Sequence, residues 1–347
     1  MRLALHAAIL LTAALEAAAA LPPSGAPSNT APRSIALDIA CDYAPVFAGG
    51  RLRVFSREGR NQVMDPVKDK APDCSPVPIT AAVQPIASED SVFALDASGA
   101  LWRLGSGFPS TVDQVTKGAI AMLPCSPMPA ILYPEKLRLP SVAESALPFK
   151  AEGGSRIAGG WWVFGKDRAT LLREDGSLKW TWAPKNLAPR AACLSNKMVF
   201  AATREGYLVA LDARSGKERF RYRCGGEVFA PLAGPDGSVV FCANDHAVRR
   251  LSSRGQLLWQ ARMGARLAFG LVTVGSGFLC AEEAGRRVAL FEAKTGRELW
   301  HWEAPEGEIL LSPAASDYLA AVLVSTGKPE PALWLLALPK TADAKNR

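Results

Sequence analysis

Side chains that could catalyse a reaction or hold a metal ion are few in this chain of 347 residues. Its three histidines are His6, His246 and His301, and no two of them have the spacing of a metal-binding pair. The seven cysteines include no Cys-x-x-C pair, and the chain has no nucleophile elbow, phosphate loop or dinucleotide fingerprint. We therefore predict no catalytic residues, no metal ion and no cofactor.

A phrase of about ten residues recurs four times, beginning with leucine, turning at a glycine and ending in an aromatic residue. The copies are Leu171–Trp180, Leu211–Phe220, Leu251–Trp259 and Leu290–Trp300. Their turn glycines are Gly176, Gly216, Gly255 and Gly296, which are 39 to 41 residues apart. A fixed period of this size indicates one supersecondary unit that is stacked many times.

The apolar pattern around each glycine indicates which secondary structure forms the repeated unit. Apolar and polar residues alternate with a period of two, which is typical of strands that bury one face. Two further apolar runs precede each phrase, so that one period contains four short strands, as in a propeller blade. The sequence therefore predicts an all-β fold, a β-propeller of four-stranded antiparallel blades. We count seven blades, with six or eight as alternatives, and expect Ser34–Ala40 to complete the last blade and close the ring.

The segments Asp212–Phe220 and Glu292–Trp300 resemble the repeat of the pyrroloquinoline quinone (PQQ)-type propeller family, small-Leu-Asp-x-x-Thr-Gly-Lys-x-x-Trp. The resemblance covers four blades between Trp161 and Trp302. It implies that the aromatic residue that ends each phrase docks between adjacent blades, where it buries apolar area and sets the blade register. These docking residues are Trp180, Phe220, Trp259 and Trp300.

The same family includes quinone-dependent dehydrogenases, so the resemblance also raises an enzymatic alternative. The resemblance implies that such an enzyme would be a longer, eight-bladed propeller. It would carry an adjacent pair of cysteines over the cofactor and a calcium site formed by carboxylates and an asparagine. This chain has no Cys-Cys step and no recognisable cluster of that kind. Because a fold alone does not establish chemistry, we predict a non-catalytic, BamB-like member, with a quinoprotein-type dehydrogenase as the alternative.

The N-terminal residues predict export. A basic start, an apolar tract and the small residues Ala18–Ala20 are typical of a secretory signal peptide at residues 1–20. Residues 21–33 read as a flexible linker, 34–339 as one propeller domain and 340–347 as a disordered tail. Cys41, the first cysteine, lies too far from the apolar tract to accept a lipid. We therefore expect a soluble periplasmic or cell-envelope protein. Because the number of cysteines is odd, at least one thiol lies outside any intramolecular disulfide. A disulfide between Cys74 and Cys125 remains open.

One stretch, residues 118–160, breaks the period and contains six prolines. We predict an irregular insertion there, because long loops in compact domains are often functional. Its apolar residues suggest exposed surface, so we expect a partner-binding loop, although a merely tolerated loop is the alternative. The candidate binding residues are Met128, Ile131, Leu132 and Tyr133.

The formal net charge of +7 favours acidic partners or surfaces. Most basic residues are scattered, but Arg219, Arg221 and Arg223 alternate on one strand and should form a basic stripe, either solvated or used in recognition. Export argues against nucleic acid as a partner. We predict a monomeric scaffold that binds envelope proteins or unfolded outer-membrane proteins, possessing no transmembrane segment. A ligand- or polymer-binding envelope module is a further alternative.

Overall fold

The structure is a computed structural model that describes residues 31–339, except 38, 68–72, 75–78, 106–108, 142, 235, 268, 283–284, 326 and 328–329. The predicted signal peptide, residues 21–30 of the predicted linker and the predicted tail lie outside the described residues. The described chain is built from β-strands that form eight separate sheets, which are the blades of a propeller.

Blades 1 to 4 each contain four strands in chain order. Blade 1 consists of β2 (Val46–Ala48), β3 (Arg51–Phe55), β4 (Asn61–Met64) and β5 (Asp73–Cys74). Blade 2 consists of β6 (Ile86–Ser88), β7 (Ser91–Leu95), β8 (Ala100–Leu104) and β9 (Ser110–Gln114). Blade 3 consists of β10 (Ala121–Leu123), β11 (Ala130–Leu132), β12 (Lys136–Arg138) and β13 (Glu144–Ala146). Blade 4 consists of β14 (Ala151–Ile157), β15 (Gly160–Gly165), β16 (Ala169–Arg173) and β17 (Leu178–Trp182).

Blades 5 to 7 repeat this order, and blade 8 joins the two ends of the described chain. Blade 5 consists of β18 (Pro189–Ser195), β19 (Met198–Thr203), β20 (Tyr207–Asp212) and β21 (Glu218–Arg223). Blade 6 consists of β22 (Leu232–Ala233), β23 (Val239–Ala243), β24 (Ala247–Leu251) and β25 (Leu257–Arg262). Blade 7 consists of β26 (Val272–Val274), β27 (Gly277–Ala281), β28 (Arg287–Glu292) and β29 (Glu298–Glu303). Blade 8 consists of β30 (Glu308–Ile309), β31 (Ala314–Ala315), β32 (Leu319–Ser325), β33 (Ala332–Ala337) and β1 (Arg33–Ala36).

The early strand closes the ring, as the sequence predicted. Strand β1 pairs antiparallel with β33, with Arg33 opposite Leu335 and Ala36 opposite Ala332. It spans Arg33–Ala36 rather than Ser34–Ala40. Because the outermost strand of blade 8 comes from the opposite end of the sequence, backbone hydrogen bonds hold the segment that leads into blade 1 to the last blade.

The count of seven blades is wrong, since the structure has eight, which was one of the alternatives. The missed unit is blade 3, whose four strands lie within the region 118–160 that we predicted as an irregular insertion. Its strands are three residues long, too short to show a periodic pattern. Its prolines fall between strands, where no ladder hydrogen bond is required of them. The proline positions are Pro124, Pro127, Pro129, Pro134, Pro140 and Pro148.

The docking aromatics lie between successive blades. Trp180 of blade 4 lies against Gly216 of blade 5, so closely that an added Cβ on this glycine would be 2.7 Å from the indole ring. The Trp180 Nε1 group donates to the Ala213 carbonyl oxygen at 3.1 Å. Gly216 also has a φ of +70°, which disfavours any side chain there. Phe220 against Gly255 and Trp259 against Gly296 repeat the contact, while Trp300 packs partly buried against the cluster between blades 7 and 8.

The strands of each blade are labelled A to D from the central channel outward. The connections between these strands lie at the two ends of the blades and so define two faces of the disc. The turns A–B and C–D share one end of each blade, here called the turn face, where Ala213 N donates to Lys197 O at 2.8 Å. The B–C turns and the D–A connections between blades share the other end, here called the loop face. There Cys224 N donates to Gly206 O at 2.7 Å.

An ion pair between the buried Arg250 and the half-exposed Asp236 on the turn face should make the free energy of unfolding depend on pH. Hydrogen bonds from Ser238 and from Arg250, against opposing burial, lower the pKa of Asp236 to about 2. Arg250 is buried and also donates to Lys294 O of blade 7 at 2.6 Å. Because the folded pKa lies below the usual value, this stabilisation is complete above about pH 4 and is lost as the pH falls towards 2.

We expect Asp236→Asn to lower the free energy of unfolding at pH 7 by about 1 kcal/mol, since the half-exposed carboxylate is screened by solvent. The difference from the wild-type protein should shrink between about pH 4 and pH 2. Urea unfolding at several pH values measures it, with the exposed Asp317→Asn as the control. A deficit that does not change with pH would contradict the assignment.

Candidate functional site

The loop face of blades 5 to 7 carries one carboxylate per blade that fixes the preceding D–A connection. Each carboxylate lies on a B–C turn, shortly after strand B, and accepts a hydrogen bond from a backbone N–H of the connection that leads into its own blade. The bonds are Ala188 N to Glu205 Oε2 (2.8 Å), Gly225 N to Asp245 Oδ2 (2.8 Å) and Ala265 N to Glu282 Oε1 (2.9 Å). Sequence reasoning missed this set, although an acidic residue two or fewer positions after strand B of each clear repeat could have indicated it. The connections are therefore held in one conformation.

Backbone hydrogen bonds hold the same loops a second time. The residue that follows strand D donates to the B–C turn of its own blade, for example Met263 N to His246 O and Ala304 N to Arg286 O, both at 2.8 Å. Carboxylates that accept backbone N–H groups make charge-assisted hydrogen bonds, which are stronger than neutral ones. Doubly held loops provide a rigid surface, and rigid loops lose little conformational entropy on binding.

A charged cluster lies where the innermost strands of blades 4 and 5 begin. Arg190 Nη1 lies 3.5 Å from Glu152 Oε2, and Arg190 Nε lies 3.4 Å from Glu227 Oε1. The guanidinium also lies 6.0 Å from the centroid of the Phe164 ring. Burial raises the pKa of Glu227, although the positive charge of Arg204 opposes the shift. This cluster, here called the mouth cluster, places three charged groups from neighbouring blades beside the channel opening on the loop face.

The residues predicted as a partner-binding loop lie mostly in the core. Ile131 and Leu132 belong to strand β11 and are at most 2% exposed, and Tyr133 is 5% exposed. The Tyr133 hydroxyl donates to Thr116 O at 2.9 Å. Met128 is partly buried and, with Ile131, lines a cavity of about 10 Å³ between blades 2 and 3, which is about the space of one water molecule. The expected exposure is therefore wrong for three of the four side chains, because their strands form blade 3.

The predicted basic stripe lies on the exposed face of strand β21, and each of its arginines has a partner there. Arg219 pairs with Asp212 at 2.6 Å, and Arg221 pairs with Glu218 at 2.5 Å. Arg223 lies 6.0 Å from the centroid of the Tyr207 ring. Since two of the three charges are neutralised locally, the stripe offers less net charge than its sequence implies.

The cysteines in the described blade cores are buried thiols of low reactivity. Cys242 and Cys280 are buried in the cluster between blades 6 and 7, and burial raises the pKa of the Cys242 thiol to about 12. Such thiols behave as small apolar side chains. Among the residues that the structure describes, no three His, Cys, Asp or Glu side chains are grouped to hold a metal ion. The side chain of Cys74 lies outside the description, so a Cys74–Cys125 disulfide stays open.

The described ranges also contain no helix that is long and apolar enough to cross a bilayer.

Comparisons with known proteins agree with this architecture. The family described as outer membrane protein assembly factor BamB matches residues 166–309 and, in a second overlapping match, residues 244–328. Together the matches span 163 of the 347 residues, from the middle of blade 4 into blade 8. No curated protein sequence matches the chain.

Two solved structures are similar in fold. The computationally designed protein Ika8 has a TM-score of 0.69 at 13% identity, covering 87% of this chain and 99% of that one. Sqt1 of Saccharomyces cerevisiae has a TM-score of 0.66 at 8% identity, covering 88% of this chain and 98% of that one. At these identities the likeness concerns the fold alone. Together with the repeat phrases and the four-stranded blades, the family match shows that residues 166–328 form part of a PQQ-like β-propeller.

Proposed function

We propose that the protein is a non-catalytic scaffold of the cell envelope, which binds protein segments on the loop face of its propeller. The observation that carries this proposal is the match to the BamB family over residues 166–328, a family described by its part in outer-membrane protein assembly. The signal-like residues 1–20 support export, and outer-membrane protein assembly is the finer role that we propose.

The loop face is the better candidate surface for a protein partner because its loops are held by two sets of hydrogen bonds. The carboxylates of Glu205, Asp245 and Glu282 and the backbone pairs beside them define the shape of this surface before a partner arrives. Preorganised surfaces bind more tightly for a given area than surfaces that must order on binding. The mouth cluster adds charged groups that can orient a polar segment.

The test places a photo-crosslinking amino acid at single exposed positions in the protein, produced with its own N terminus in a bacterium with an outer membrane. We expect positions 204 and 306, on the loop face, to crosslink one or a few proteins in the periplasmic fraction, identified by mass spectrometry. Positions 197 and 217, on the turn face, are the matched controls and should crosslink the same proteins at least about tenfold less.

Two outcomes would contradict the proposal. Equal crosslinking at all four positions would show that the loop face is not the binding surface. The enzymatic alternative predicts calcium-dependent oxidation of an alcohol or sugar, linked to a dye, after PQQ is added to the purified protein. A rate above that of buffer with PQQ would replace the scaffold by a dehydrogenase.

A further inference from the structure

The turn face of blades 5 to 7 carries a group of cations that have no acidic partner. These residues, here called the basic patch, are Lys197, Arg214, Lys217, Arg254, Lys294 and Arg297. All six side chains are exposed, and none forms an ion pair with any residue in the described ranges. An uncompensated group of this size produces a positive surface potential that attracts anionic surfaces.

The turns that carry the basic patch are contiguous. Ala213 N donates to Lys197 O, which joins the two turns of blade 5. A Cβ added to Gly237 of blade 6 would lie 3.4 Å from Asn196 of blade 5 and 3.7 Å from Ser253. Trp259 Nε1 donates to Ala293 O at 3.2 Å, which joins blade 6 to the turn of blade 7. The six cations therefore share one continuous part of the disc.

The acidic residues among these turns are mostly engaged elsewhere. Asp212 pairs with Arg219, and Asp236 pairs with the buried Arg250, each at 2.6 Å. Glu292 accepts a hydrogen bond from the Thr295 hydroxyl and is the one carboxylate on these turns without a described cation. On the loop face of the same blades, by contrast, cations and carboxylates are interspersed. The disc is therefore electrically asymmetric in this sector.

Exposed leucines border the basic patch. Leu257 and Leu258 begin strand β25, directly after the turn that contains Arg254, and are 47% and 48% exposed. Leu178, at the corresponding position of blade 4, is 51% exposed. Large apolar side chains beside cations are typical of surfaces that insert shallowly between lipid headgroups.

We propose that the basic patch and the leucine pair dock the turn face onto a bilayer that contains anionic phospholipid. The cations are spread over three neighbouring blades at one end of the disc, which suits a planar array of charged headgroups. A single small anion would require them to converge. The adjacent Leu257 and Leu258 favour lipid over a soluble acidic protein, because they can enter the interfacial region of a bilayer. This docking is independent of the function proposed for the loop face.

Sedimentation with large unilamellar vesicles tests the proposal. We expect the purified protein to bind vesicles of phosphatidylcholine with phosphatidylglycerol, but not vesicles of phosphatidylcholine alone, at about 0.1 M salt. Replacing Arg214, Lys217 and Arg254 together by Glu should lower the partition coefficient by at least about a hundredfold. Salt at about 1 M should release most of the bound protein, because the Debye length falls to about 3 Å.

A matched variant separates the location of charge from its amount. Replacing Lys166, Lys185 and Arg204 by Glu makes the same change in net charge on exposed positions of the loop face, and binding should fall less than about fivefold. Replacing Leu257 and Leu258 by Ser should lower binding roughly tenfold without changing its dependence on salt. All variants share the same N terminus, so any binding by residues 1–30 is common to them. Unchanged circular dichroism and melting temperature would establish that each variant is folded.

Three results would overturn the proposal. The first is equal binding to the neutral and the anionic vesicles. The second is an equal loss in the turn-face and loop-face charge variants, which would mean that only net charge matters. The third is binding to soluble poly-glutamate without sedimentation with any vesicle, which would identify an acidic protein as the partner of the basic patch.

Discussion

Replacing Trp180 by Ala should lower the free energy of unfolding by about 3–5 kcal/mol, which is typical of removing a buried tryptophan. The indole is 8% exposed and lies between blades 4 and 5, against Gly216 and 6.2 Å from the ring centroid of Trp162. The substitution also removes the donor to Ala213 O. Gly216, on the opposite side of the indole, has no side chain that could fill the resulting cavity. Urea unfolding, followed by circular dichroism, measures the loss.

The neighbouring Lys179→Ala is the matched control, because this exposed residue on the same strand has no described ion pair. It should change stability by less than about 0.5 kcal/mol. Gly216→Ala tests the opposite side of the contact. Its added Cβ would meet the indole at 2.7 Å in a backbone conformation with a φ of +70°, and about 1–3 kcal/mol should be lost. If Trp180→Ala were no more destabilising than Lys179→Ala, the indole would have no role in joining the blades.

The strongly periodic part of the sequence predicts its own structure well. Blades 4 to 7 contain the four phrases, and in each a positive-φ glycine ends the turn between strands C and D. The period is readable because Gly216, Gly255 and Gly296 each lie against the docking aromatic residue of the preceding blade, where an added side chain would collide. The requirement for a glycine opposite the docking aromatic residue therefore produces both the sequence repeat and the contact between blades.

Blade 3 could not be found by period because its strands are too short to alternate visibly. Its residues Ile131 and Leu132 are buried by both neighbouring blades, so apolar residues that resembled loop surface are core. Ser145 occupies the place of the docking aromatic, close to Gly176 of blade 4. A serine at this position does not identify a repeat in the sequence, whereas the glycine opposite it belongs to a recognisable turn.

The candidate surfaces were harder to predict than the fold. The loop-face carboxylates accept hydrogen bonds from backbone N–H groups, so the sequence shows the acidic acceptor after strand B but does not show which backbone group donates to it. The basic patch is formed by residues up to 100 positions apart, which lie together only because blades 5 to 7 are neighbours. Conversely, Arg219, Arg221 and Arg223 form an obvious stripe in the sequence, yet their local partners reduce its charge.

Deleting residues 1–36 should open the ring, and we expect this truncation to cost about 4 kcal/mol of stability. Strand β1 pairs four residues with β33, and the lost ladder corresponds to about four hydrogen bonds of about 1 kcal/mol each. The deletion also leaves the edge of β33 exposed over an apolar sequence, Ala332–Ala337. Exposed edges of this kind pair with other chains, so the shortened protein should form oligomers as its concentration rises.

The matched control is deletion of residues 1–30, which leaves strand β1 and the buried Leu37 and Ile39 in place. Its unfolding midpoint in urea should equal that of the full chain, and it should have the same size in light scattering. The 1–36 deletion should unfold at lower urea and should regain stability when a peptide covering residues 31–40 is added, because the peptide can pair with β33. If the two deletions were equally stable and equally monomeric, closure by the early strand would contribute nothing, and contacts between blade faces alone would have to hold the first and last blades together.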